Sequence, residues 1–170
     1  MLYLGYLFTV INYGFYCASR FMKDKKDILF MDLIAKAFTV AGLYCLGSMT
    51  GVYSMSLMFV INIVCYYKER KQARFSFLYW LCLALYIYIL YSTYVGISSV
   101  LVFTTSVLTI TANWWFPPQW MRLSAVFGCV LYLGYQYSIQ NWGGILELAS
   151  LGSNVVSYYK YRKQDMVENS

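Results

Sequence analysis

Asn62 and Asn154 occupy the same place in two near copies of one segment. Residues 62–72 read NIVCYYKERKQ and residues 154–164 read NVVSYYKYRKQ, with eight of eleven positions identical. A primary amide offers two N–H donors and two acceptor sites, so a matched pair could clasp hydroxyls or a pyridine amide. Both sit in apolar runs, where a polar side chain is costly unless it finds a partner or water. The plainer reading is interhelical glue, contributing about 0.6–2 kcal/mol per bond. Repeat-equivalent placement favours a pocket, and the alternative stays open.

Other polar residues inside apolar runs complete the shortlist. Tyr44 and Tyr132 close two LY pairs, at 43–44 and 131–132. They could stack on a ring or sugar, or simply belong to an interfacial tyrosine belt. Glu147 corresponds to Met55 in the first copy and has three readings: it reaches the outer surface, holds a cation or proton, or contacts a solute. Asp32 and Lys36 are four apart and share a helix face, so they can pair or line an inner vestibule as charges. Their counterparts, Trp120 and Ser124, are uncharged. Asn12 and Asn113 are further candidates to line a cavity. Bond-making chemistry has no support. The chain has no histidine, and its five cysteines lie in apolar runs without a C-x-x-C. No metal-ligand spacing and no nucleophile–base pair occurs, so neither an enzyme nor a cofactor is expected. The list is one for binding.

These residues need apolar helices to carry them. The chain is 61% hydrophobic and 12% charged, with 19 Tyr, 11 Phe and 5 Trp, against about 25% charged in soluble domains. The composition predicts an all-α polytopic membrane protein whose partner is the lipid bilayer. Seven spans are expected, at roughly 2–20, 28–47, 50–67, 75–94, 97–115, 120–138 and 142–159. The charged runs RFMKDKKD and KERKQAR, the turns GSMTG and QNWGG, the stretch STYVGISS and the pair in FPPQW separate them. Residues 1–20 lack a basic start and a small-residue cleavage site, so they read as a retained first helix. Basic and uncharged connections alternate once Arg20 and Arg122, at the ends of their spans, are counted with the adjoining loops; of the 13 basic residues only Lys36 then lies inside a span. By the positive-inside rule the N-terminus is expected outside and the C-terminus in the cytoplasm of a plasma-membrane protein. The net charge of +6 is thereby a membrane signature and implies no nucleic acid. Trp114 and Trp115 fit a cytoplasmic interface, and the run TTSVLTIT at 104–111 suits close helix contact.

The near copies end spans 3 and 7, and the LY pairs lie in spans 2 and 6. Spans 1–3 and 5–7 therefore read as two copies of a three-helix unit in the same orientation. The single membrane domain, 1–170, divides into a first repeat of about 1–72, a linker helix of about 75–94, a second repeat of about 97–164 and a tail at 165–170. The linker, FSFLYWLCLALYIYILYSTY, has no charge, Gly or Asn, so it should face lipid or pack blandly.

A 3+1+3 parallel repeat of this size resembles SWEET sugar transporters and PnuC vitamin transporters. The segment MRLSAVFGCVLYLGYQYSIQNWGGILELASLGSNVVSYYKYRKQ and the first loop RFMKDKKDILFMD more closely resemble the YgjV family of bacterial inner-membrane proteins. The shared features are a Met-Arg before the sixth span, a Gly-Gly opening the seventh, and an Asn followed by branched residues late in spans 3 and 7. The SWEET resemblance implies that Asn62 and Asn154 hold a solute. The chain departs from SWEETs in its first span, which has no proline; Pro117 and Pro118 end the fifth. The expected function is a carrier or facilitator for a small, neutral, sugar- or vitamin-like solute, working by alternating access. The alternative is a non-transporting scaffold or receptor. A cavity reaching Asn62 and Asn154 favours the first, and a filled axis favours the second. Nothing fixes the oligomeric state, and a homo-oligomer remains open.

Overall fold

A computed structural model describes residues 2–47, 49–71, 76–92, 94, 96–138, 140 and 142–168. Among the described residues the chain is all-α, with seven α-helices: α1 (Leu2–Arg20), α2 (Lys25–Cys45), α3 (Met49–Lys71), α4 (Ser76–Ser92), α5 (Ile97–Trp115), α6 (Pro118–Ser138) and α7 (Glu147–Glu168). A 3-10 turn, Trp142–Leu146, leads directly into α7. Each expected span has its helix, and the differences lie at the ends. Asp24 takes an extended conformation at the N-cap of α2, so that helix starts before residue 28. Pro118 opens α6, where its missing N–H costs nothing and its fixed φ suits the first turn. Arg74 and Asn141, assigned above to connections, lie outside the described residues, as does the side chain of Lys163.

By length and composition, among the described residues, two helices are apolar enough to cross a bilayer: α2 and α5. The apolar α4 is shorter, and the others are diluted by tyrosine, glycine and serine. In each three-helix segment the helices pack in chain order, α1 on α2 on α3 and α5 on α6 on α7, and the segments meet through α1–α7 and α3–α5. Small residues permit the close approaches. A Cβ on Gly42 would lie 3.3 Å from the Gly5 carbonyl oxygen, and one on Gly144 would lie 2.4 Å from Gln136 Cβ. The second contact explains a glycine in the 3-10 turn: it lies flat against α6.

The linker α4 packs against α3 and α5 through one stripe, Tyr79, Cys82 and Tyr86. Its opposite face exposes Phe77, Trp80, Tyr88 and Tyr91, as a lipid-facing surface would. The packing is less bland than the composition implies. Tyr86 donates to the Ser54 carbonyl at 2.7 Å, and the Tyr79 and Thr111 hydroxyls are 3.0 Å apart. Both hydroxyls are thus satisfied by neighbouring helices.

Apart from Lys36, the described basic residues gather at one end of the bundle, and several join its helix termini. Lys25 pairs with Glu69 at 3.6 Å. Lys68 donates to the Trp114 carbonyl at 2.6 Å. Arg122 donates to the carbonyls of Arg20 at 3.2 Å and Met22 at 2.7 Å, and Tyr161 donates to the Phe21 carbonyl. The C-termini of α1 and α5 therefore have their orphan carbonyls satisfied by other helices. Three expectations change here. Asp32 pairs with Arg20, not with Lys36, because the α1 terminus lies alongside Asp32 while Lys36 sits a turn deeper. Arg20 and Arg122, read as loop charges, are almost fully buried. Trp114 is core rather than interfacial, and only Trp115 is exposed.

Candidate functional site

The cavity lies between the two three-helix segments and has a volume of about 90 Å³. Its wall takes Asn12, Tyr13 and Tyr16 from α1, Ala35, Lys36 and Thr39 from α2, and Met55 and Met58 from α3. From the other side come Thr105, Ser106 and Thr109 of α5, Ala125, Gly128, Cys129 and Tyr132 of α6, and Glu147 of α7. Every helix except α4 contributes. The helical period explains the selection: Lys36 and Thr39, and likewise Tyr13 and Tyr16, are three apart and project from one face.

The wall is mixed. Methionines, alanines and tyrosine rings supply apolar area, and hydroxyls, one amide and two charged side chains supply polar points. Thr39, Thr105 and Thr109 bond back to the carbonyls one turn earlier, at 3.0, 2.9 and 2.8 Å. Their hydroxyl lone pairs can still accept toward the cavity. Glu147 is 5% exposed, stands where the 3-10 turn becomes α-helix, and has the Tyr13 hydroxyl and Cys129 thiol as polar neighbours. Of the charges acting on Lys36, Asp32 is the strongest, followed by Arg20 and then Glu147, and no ion pair joins Lys36 to Glu147.

Of the residues singled out in the sequence, Tyr132, Glu147, Lys36 and Asn12 come together here. Three do not. Tyr44 is 63% exposed, because α2 turns that face outward, so its equivalence with buried Tyr132 is positional and not functional. Asn62 and Asn154 are fully buried but do not line the cavity. Asn62 is one turn beyond Met58 and accepts from Asn113 Nδ2 at 2.9 Å, which withdraws Asn113 from the cavity too. Asn154 donates to the Ser150 carbonyl at 2.8 Å and approaches Cys129 Sγ at 3.6 Å, behind the wall. Asn62 Nδ2 and Asn154 Oδ1 remain without a protein partner.

Several wall residues escaped sequence reasoning. Tyr13 and Tyr16 were hidden among 19 tyrosines. Thr105, Ser106 and Thr109 lay within the run read as helix contact; their spacing of one and three was the available signal. Ser19 and Arg20 escaped as well. Ser19 Oγ donates to Asp32 Oδ1 at 2.6 Å, and the Arg20 guanidinium lies 4.3 Å over the Tyr16 ring. A buried ionic group thus anchors the cavity's α1 wall.

Seven helices with an apolar outer surface and a cavity of mixed polarity between two helical triplets are the features of a membrane protein. Residues 3–165 match the YgjV family of bacterial inner membrane proteins, Imp-YgjV, and the chain belongs to that family. No curated protein and no solved structure matches it.

Proposed function

We propose that this inner membrane protein is a carrier for a small polar solute, working by alternating access between its two three-helix segments. One observation carries the reading: six helices line the cavity, three from each segment, and the linker lines none of it. An alternating-access carrier needs a site between two bodies that can rock.

The contacts support an internal repeat. Exchanging α1, α2 and α3 with α5, α6 and α7 maps α1–α2 onto α5–α6, α2–α3 onto α6–α7, and α3–α5 onto α7–α1, all of which are contacts. The duplicated YYK motif fits the same exchange. Lys68 ends α3 and lies 5.3 Å over the Trp115 ring at the end of α5. Lys160, its counterpart in α7, lies 5.9 Å over the Phe21 ring at the end of α1. Each repeat thus latches onto the other at the basic end. With that end cytoplasmic by the positive-inside rule, the arrangement is a carrier sealed toward the cytoplasm, its N-terminus outside and its C-terminus inside.

The scaffold reading draws on Asn62 and Asn154, which act as glue and not as cavity wall. The experiment that separates the two uses Thr109→Cys in a variant otherwise free of cysteine. A membrane-impermeant thiol reagent is applied to right-side-out and to inverted vesicles. A carrier labels from both sides, and Lys68→Met shifts the balance toward cytoplasmic access. Labelling from one side only, unchanged by Lys68→Met, rejects alternating access and leaves the scaffold.

A further inference from the structure

From the charges in the cavity we infer that its solute is a small zwitterion, carrying an ammonium and a carboxylate on one short skeleton. This rests on the carrier reading and replaces the uncharged solute expected from the lack of a symmetric charge pair. The pair is present but asymmetric. Lys36 comes from the first segment and Glu147 from the second, and both line one cavity. Their repeat counterparts, Ser124 and Met55, carry no charge, so no symmetry argument could reveal them.

The two charges are poised rather than paired. Asp32, one turn from Lys36, is already occupied by Arg20 and Ser19. Lys36 and Glu147 share the space without closing on each other. Glu147 is buried and Lys36 half-buried; in a low-dielectric interior each alone is driven toward its neutral form, and a solute with the opposite polarity at each end holds both charged at once. Its ammonium would meet Glu147, with the Tyr13 hydroxyl and Cys129 thiol alongside. Its carboxylate would meet Lys36, while the Thr109 hydroxyl, on the opposite α5 wall and with its proton already given to the Thr105 carbonyl, offers a lone pair to the ammonium. Because the two charged residues lie on different segments, a bridging solute would also link the two bodies that must rock together.

Size narrows the class. The cavity, about 90 Å³, is smaller than the roughly 150 Å³ void that takes up benzene, so it holds about six non-hydrogen atoms at most. Alanine and β-alanine fit; a hexose or a nucleoside is too large for this conformation. A singly charged analogue would leave one protein charge uncompensated.

The test measures thermal stabilisation of the full-length protein in detergent, with uptake into proteoliposomes beside it. The probes are L-alanine and β-alanine, with L-alaninamide, propionate and glycerol as cationic, anionic and neutral controls. Specific binding raises the melting temperature by mass action. At millimolar concentrations either zwitterion should raise it by several degrees and the three controls by less than one. Lys36→Met and Glu147→Gln should each weaken zwitterion binding tenfold or more. Fold integrity of each variant is read from its unliganded melting temperature; where a variant fails to fold, Thr109→Val, which removes a hydroxyl alone, should still weaken binding severalfold. Stabilisation by glycerol without stabilisation by a zwitterion overturns the inference and leaves the carrier reading intact. Two-sided Thr109→Cys labelling with no response to any probe does the same. One-sided labelling with no response removes both.

Discussion

The ionic pairing of Asp32 offers a direct test, because sequence and structure name different partners. Spacing of four on α2 nominates Lys36; the structure assigns Arg20, through a contact in which the side chains are 4% and 3% exposed. Removing one member of a buried pair leaves the other uncompensated, which costs about 3–5 kcal/mol. For a chain of this size about 1 kcal/mol moves the melting temperature by about 2–4 °C. Asp32→Asn should therefore lower it by about 6–20 °C. Arg20→Met should do nearly as much, since it strands Asp32 with only the Ser19 hydroxyl. Lys36→Met should cost under about 1 kcal/mol, because Lys36 has no ion pair to lose. The assay is a double-mutant cycle on purified protein in detergent, in which directly contacting residues couple by about 0.5–3 kcal/mol. The Arg20/Asp32 cycle should couple near the top of that range and the Lys36/Asp32 cycle at or below its lower end, through a charge felt without contact. The reverse ranking would refute both the structural assignment and the view of Lys36 as a free cavity charge.

Three further outcomes are expected. Gly144→Ala places a methyl 2.4 Å from Gln136 Cβ, so overpacking should cost about 1–3 kcal/mol, seen as a lower melting temperature, while Gly14→Ala, with open space around it, should not. Tyr86→Phe loses the 2.7 Å bond to the Ser54 carbonyl and should cost about 1 kcal/mol, seen as a lower melting temperature. Asn113→Leu removes the only hydrogen bond the Asn62 side chain makes and should destabilise by about 0.6–1.7 kcal/mol without changing labelling of the cavity at Thr109→Cys.

The amides and tyrosines show where reading by repeat position goes astray. Residues at matched positions of the two segments need not have matching surroundings. Tyr132 is enclosed and Tyr44 is exposed; Asn62 meets an asparagine on α5 and Asn154 a cysteine on α6.

What the linear chain determined was the number and place of the helices. Length, apolar content, glycine and proline breaks and charge clusters act locally, within a turn or two of the residues that carry them. It also determined that Lys36 and Glu147 would be anomalous, since a charge inside an apolar run is visible without a fold. Tertiary structure alone decided the pairings. Arg20 finds Asp32, Arg122 caps the end of α1, and Lys36 and Glu147 enter one cavity from different segments. Each depends on how helices distant in the chain rotate against one another, and that rotation is set by packing of whole faces rather than by any local pattern.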